Sequence, residues 1–269
     1  MQRRTDSEKF ARLRQARRIW AVAAIHAEAE RLRRLHDRIA GRLEDGDRIV
    51  YLGNYCGWGG AVAATIEELL DFRCRVMARP HGFACDVVFL RGAQEEMWQK
   101  LLQLQFAPNP GEVLAWMVRE GVERTVRAYG GELRHGFAAS RDGPRTITRW
   151  TSALRDAMNA APGHTALFGR LRHAAVSDDN QLLFVHAGVD ASRPLAGQGD
   201  AFWWGGRDIL DLAAPFGGFR RVVRGFDRQR RGLVEGEFAV SLDAGAGRGG
   251  RLLAAAFSPA GAVLDVVEA

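Results

Sequence analysis

The first ordered pattern along the chain is Ile19–Ile25 (IWAVAAI), a short apolar run that reads as a buried strand. It is followed by Leu32, Leu35, Ile39 and Leu43, apolar positions at helical spacing. Asp47–Gly53 (DRIVYLG) repeats the device with a strand, a glycine-containing turn and a helix predicted over Ala61–Phe72. A third strand, Asp86–Leu90 (DVVFL), leads into a helix predicted from Gln94 to Leu104. From Gly111 to His173 the periodicity is helical, broken at Gly130-Gly131 and at Asp142-Gly143-Pro144. Strand-like runs return at Gln181–Val185, Phe219–Val223, Phe238–Leu242, Leu252–Phe257 and Val263–Val267. With few helices between them, these runs predict a second sheet, antiparallel or mixed. Strands alternating with helices argue for an α/β fold, in which functional groups gather in loops beyond the carboxyl ends of the strands.

Composition narrows this picture. A chain of 269 residues with 47% hydrophobic content can bury a large core, and no Pro/Ser-rich or low-complexity linker divides it, so one domain is expected from residue 19 onward. No apolar run reaches the roughly 18 residues of a membrane span, and Met1 to Arg18 is charged where a secretory signal needs an apolar segment. A cytoplasmic protein is expected. Cys56, Cys74 and Cys85 lack CxxC spacing and are odd in number, which predicts buried free thiols rather than a disulfide framework or a zinc site.

The net charge of +6 comes almost entirely from arginine, since Lys9 and Lys100 are the only lysines. Arg3, Arg4, Lys9, Arg12, Arg14, Arg17 and Arg18 suggest a basic helical extension over residues 1–18. A solvated helix face is the simpler reading. As a docking element, Arg12, Arg14, Arg17 and Arg18 would suit a protein partner that is acidic or phosphorylated. Aromatic residues are not interleaved and no nucleic-acid fold motif is present, so nucleic acid is a disfavoured partner.

Three strand-to-loop junctions carry chemistry. They read Ala23-Ala24-Ile25-His26-Ala27, Gly53-Asn54-Tyr55-Cys56-Gly57-Trp58-Gly59 and Gly92-Ala93-Gln94-Glu95. Further on come Leu183–Gly188 (LFVHAG), Val222–Asp227 (VVRGFD) and Leu242–Leu253 (LDAGAGRGGRLL). In this order they resemble the motifs of the calcineurin-like metallophosphoesterases, in particular the bacterial serine/threonine phosphoprotein phosphatases: G-D-x-H-G, G-D-x-V-D-R-G, G-N-H-E, V-H-A-G, V-V-H-G-H-T and L-D-T-G-A-x-x-G-G. Thr125–Gly130 (TVRAYG) and Asp200–Trp204 (DAFWW) add to the likeness, which runs from about Arg17 to the C-terminus. The resemblance implies a four-layer sandwich, with two central mixed β-sheets flanked by helices.

It also implies a site built around two divalent cations, manganese or iron/zinc, that bind phosphoryl oxygens and activate a bridging water. Most of that site is replaced. Ala24 stands at the first Asp, Asn54 at the bridging Asp, Ala93 at the Asn ligand and Phe226 at the His of G-H-T, while His26 and His186 are kept. Gln94 replaces the general-acid His and cannot donate a proton to a leaving alkoxide. Trp58 replaces the Arg of D-R-G, Gly57 the Asp beside it, and Gly206 the phosphate-binding Arg, with Arg207 one residue away.

The resemblance therefore implies a catalytically inactive pseudophosphatase, a binding, scaffolding or regulatory protein without a cofactor. The alternative is a residual or altered phosphoesterase with His26, His186, Asn54 and Asp227 or Glu95 around one metal, or with none. Structural readings stand beside these. His26 and His186 fit hydrogen-bonded buried histidines, Trp58 and Phe226 fit fillers of the vacated volume, Glu95 fits a helix cap, and Gly57–Gly60 fit a turn.

Overall fold

The computed structural model describes residues 9–269. One sheet contains β2 (Ile19–Val22), β3 (Arg48–Tyr51), β4 (Val87–Phe89), β10 (Leu253–Phe257) and β11 (Val263–Glu268), in the order β11-β10-β2-β3-β4. Strands β2, β3 and β4 run parallel, and β10 is antiparallel to both β2 and β11. The other sheet contains β1 (Phe10–Leu13), β5 (Ala174–Ser177), β6 (Leu182–Val185), β7 (Arg221–Arg224), β8 (Val234–Glu235) and β9 (Ala239–Ser241), in the order β1-β5-β6-β7-β9-β8. Both sheets are mixed, and in the second β6, β7 and β9 are the parallel run.

Alternation along β2 shows how the layers form. Ile19, Ala21 and Ala23 join Val50, Leu52, Phe184, Val223 and Phe257 in the core between the sheets. Trp20 and Val22 belong instead to the outer core with Tyr51, beneath α1 (Ala29–Ala40) and α2 (Val62–Met77). A strand buried on both faces reads as one continuous apolar run, which is why IWAVAAI lacks a polar alternation. His36 of α1 contacts Glu68 of α2 through Nδ1 at 2.6 Å and the Tyr51 hydroxyl through Nε2 at 2.8 Å, pinning both helices to β3.

Between β4 and β5 the chain is helical: α3 (Ala93–Leu101), α4 (Pro110–Arg119), α5 (Glu123–Ala128), α6 (Leu133–Asp142), α7 (Pro144–Ala160) and α8 (His164–Phe168). The first five of these share a separate core around Trp98, Leu114, Val126 and Leu154. A short α9 (Ala201–Trp204) lays Phe202 and Trp203 on the outer face of the second sheet.

Several expectations are corrected. The last two strand runs join the first sheet rather than the second: β10 pairs with β2 on one side and with β11 on the other. A strand at Ala174–Ser177 had no separate signal behind the helical run. Residues 1–8 of the expected basic helix lie outside the described residues, while Phe10–Leu13 is a strand parallel to β5 with Leu13 wholly buried. Burial of the thiols holds for Cys56 alone, since Cys74 and Cys85 are exposed.

The basic cluster also divides. Arg18 donates to the buried Asp47 carboxylate through Nε (3.0 Å) and Nη2 (2.7 Å), and Arg17 pairs with Glu44 at 2.6 Å. Arg12 is exposed and reaches only the Asn180 side chain. Replacing Arg18 with Ala leaves a buried carboxylate short of its charged donor and should cost about 2 kcal/mol, whereas Arg12→Ala should stay within about 0.5 kcal/mol. Chemical denaturation of both variants measures the difference, and equal stabilities would refute this assignment.

Candidate functional site

The parallel strands of both sheets end at one cleft. The loop after β2 brings Ala24 and His26, the loop after β3 brings Asn54 and Trp58, and the start of α3 brings Ala93 and Gln94. From the second sheet, His186 follows β6, Phe226 and Asp227 follow β7, and Asp243 follows β9. All of the sequence-predicted strand-end positions therefore converge, while Gly206 and Arg207 line a separate depression with Asp190 and Asp208. The cleft itself has a volume of about 230 Å³.

Its scaffold is made by the main chain. Asn54 O accepts from Ile25 N–H (3.1 Å) and His26 N–H (2.6 Å), and Tyr55 O accepts from Ala27 N–H (2.9 Å). These bonds hold His26 (φ 52°), Ala27 (φ 60°) and Asn54 (φ 55°) in the left-handed region, an uncommon and costly conformation for residues with a Cβ. The Glu95 carboxylate then accepts from Gly92 N–H (2.9 Å), Asn54 N–H (2.9 Å), Tyr55 N–H (2.8 Å) and Cys56 N–H (3.3 Å). Glu95 is thus a cap shared by α3 and the loop after β3, and its oxygens face main-chain donors. The backbones approach so closely that a Cβ on Gly92 would lie 2.3 Å from Asn54 N.

The polar side chains of the cleft bond in part to one another and in part to the main chain. Asn54 Oδ1 accepts from Gln94 N–H at 2.9 Å, and Asn54 Nδ2 lies 3.3 Å from His26 Nε2 and donates to it. Gln94 Nε2 donates to Glu120 O at 2.6 Å. His186 Nδ1 donates to Leu52 O at 2.6 Å. Phe226 contacts both imidazoles: its ring stacks on His186 with centroids 5.3 Å apart and an interplanar angle of 10°, and meets His26 edge-on at 6.1 Å. Trp58 lies under the Arg248 guanidinium, 3.7 Å from its carbon to the ring centroid.

Electrostatics follow from this burial. Burial first, then the neighbouring His186 and Arg248, lower the His26 pKa to about 3, and burial lowers that of His186 to about 4. Both rings are neutral at pH 7, and His26 Nδ1 and His186 Nε2 have no hydrogen-bond partner among the described residues. Asp243 is pushed up to about 6 by burial, against hydrogen bonds from Asp227 N–H and Gly245 N–H. Asp227 is itself held by Arg231 (2.7 Å) and Arg224 (3.1 Å).

These residues do not fit a pair of divalent cations. Ala24, Ala93 and Phe226 offer no side-chain donor, Asn54 Oδ1 is already engaged, and Glu95 and Asp227 face other partners. Among the described residues no group of three or more His, Cys, Asp or Glu side chains could hold a metal ion. Sequence reasoning missed the cations that do line the cleft, Arg228, Arg230 and Arg248. The arginines of RGFDRQR and GRGGR were visible, but only the fold brings them to one place.

No family model matches the chain, nor does any curated protein in sequence. Solved structures do match. A protein assigned as a diadenosine tetraphosphatase is 19% identical, with a TM-score of 0.53 over 97% of each chain. A Saccharomyces cerevisiae serine/threonine phosphatase similar to human PP5 is 13% identical, with a TM-score of 0.52 over 97% of this chain and 82% of its own. A cold-active protein tyrosine phosphatase is 11% identical, with a TM-score of 0.54 over 97% of this chain and 82% of its own. The fold is therefore that of the calcineurin-like metallophosphoesterases.

The lowered histidine pKa values have a direct consequence. The unfolded chain takes up protons on these rings below about pH 6.5 while the fold does not, so stability should fall as pH drops from about 6.5 toward 4, by about 1.4 kcal/mol per pH unit for each histidine. Nitrogen NMR of the imidazoles should show His26 and His186 neutral at pH 5. Imidazolium signals from these two residues at pH 5 would contradict the packing described.

Proposed function

We propose that this chain is a pseudophosphatase, a binding or regulatory protein that uses the phosphatase fold without its metal-dependent hydrolysis. The observation that carries the reading is the Phe226 ring stacked on His186 and set against His26. An aromatic ring in that place takes up part of the volume that two cations and their water would need, and an apolar filler against the two imidazoles is a stable solution where charged ligands are absent. Loss of the acid at Gln94 and of charged ligands at Ala24 and Asn54 points the same way. The reading takes the chain as cytoplasmic, with an acidic or phosphorylated protein partner, in keeping with its arginine excess. No helix among the described residues is long and apolar enough to cross a membrane.

A second reading has specific support. The nitrogens of His26 and His186 that have no partner among the described residues, together with the Asp243 carboxyl shifted to about 6, would suit a residual phosphoesterase working with one manganese, iron or zinc ion, or with none. Hydrolysis of p-nitrophenyl phosphate and manganese titration by calorimetry separate the two. The natural chain should show neither turnover above background nor manganese binding. The variant combining Ala24→Asp, Asn54→Asp, Ala93→Asn and Phe226→His should gain manganese binding, because it returns anionic and imidazole ligands to strand ends already in place. Metal-dependent turnover by the natural chain would overturn the proposal.

A further inference from the structure

A second, larger concavity lies away from the cleft and shares no lining residue with it. It is a groove of about 1010 Å³ between the two sheets, lined by both terminal strands, β1 of one sheet and β4 of the other. Its apolar lining includes Phe10, Val87, Val88, Phe89, Leu167 and Val176. The main chain closes one end, where Arg172 N–H donates to Phe89 O (2.9 Å) and His173 N–H donates to Lys9 O (2.8 Å).

Charge around this groove is one-sided. Arg12, Arg14, Arg73 and Arg170 reach it from three separate parts of the chain, and no Asp or Glu is among its described lining residues. None of these four arginines makes an ion pair within the described residues. Arg17 and Arg18, close in sequence, are by contrast neutralised by Glu44 and Asp47. Four guanidinium groups left without carboxylates around an apolar trough form a surface complementary to an anion with apolar side chains.

We infer that this groove docks an extended acidic segment of a partner protein, with alternate apolar side chains in the trough and carboxylates on Arg12, Arg14, Arg73 and Arg170. A peptide is favoured because β1 is a terminal strand whose outer edge can pair with an added strand, while the β4 edge is already bonded in part by Arg172. The volume, near the upper end of the roughly 300–1,000 Å³ typical of ligand pockets, holds a short segment rather than a folded domain or a duplex. Single-stranded nucleic acid would need exposed aromatic platforms, and here Phe89 and Phe219 are buried while Phe10 is half-buried. The inference names the partner chemistry for the binding-protein reading and rests on that reading only for its biological sense.

The test is fluorescence anisotropy on the full chain with a fluorescein-labelled peptide of alternating glutamate and valine. A lysine–valine peptide and a labelled oligouridylate serve as competitors in class. The glutamate peptide should bind, and binding should weaken as salt rises. It should weaken about tenfold or more in the double variants Arg73→Glu with Arg170→Glu and Arg73→Gln with Arg170→Gln, at unchanged melting temperature. If the glutamate double variant does not fold, the glutamine one decides. Absent binding, equal binding by the variants, or preference for the lysine peptide or the oligouridylate would overturn the inference. Because manganese binding at the cleft is measured separately, either idea can fail without the other.

Discussion

One buried carboxylate sets the geometry on which the site depends. Glu95 is almost fully buried and accepts main-chain hydrogen bonds from both the α3 start and the loop after β3. Burial raises its pKa, an effect its four N–H donors oppose. Hydrogen bonds to a charged group contribute about 1.5–3 kcal/mol each, which counters part of the desolvation and helps to hold Asn54 at positive φ. From Asn54 the constraint passes to the loop after β2, whose Ile25 and His26 amides donate to the Asn54 carbonyl. The frame of the cleft is thus maintained by the main chain and one carboxylate.

These main-chain bonds hold the loops in shape without a charged side chain at position 24, 54 or 93. With Ala at 24 and Asn at 54, the centre holds two neutral imidazoles, an amide and a phenyl ring, with the carboxylates of Asp227 and Asp243 at its side. Asn54 bonds Gln94 and His26, and Phe226 packs against both His26 and His186. Positive charge has moved outward to arginine, where Arg248 over Trp58 makes a contact of the kind worth roughly 0.5–2 kcal/mol.

Much of this was legible because the parallel strands are short, apolar and followed at once by loops with distinctive residues. Ile19–Ile25, Asp47–Gly53 and Asp86–Leu90 each contain a strand at the expected place, and Glu95 reads correctly as a cap. Features set by long-range pairing were hidden. Nothing local in Leu253–Phe257 says that it lies against Ile19–Val22, and FARL reads as part of a basic helix until its pairing with Ala174–Ser177 is seen. The split of the arginine cluster depends on Asp47 and Glu44, some thirty residues away, and the groove joins Arg12, Arg73 and Arg170 only in three dimensions.

The central claim is that Phe226, not a metal pair, packs against His26 and His186. The most direct measurement is anomalous X-ray scattering at the manganese edge from crystals soaked in manganese chloride. The account predicts no anomalous peak in the cleft, with the Phe226 ring stacked on His186. Two peaks coordinated by His26 and His186, with Phe226 displaced, would contradict it.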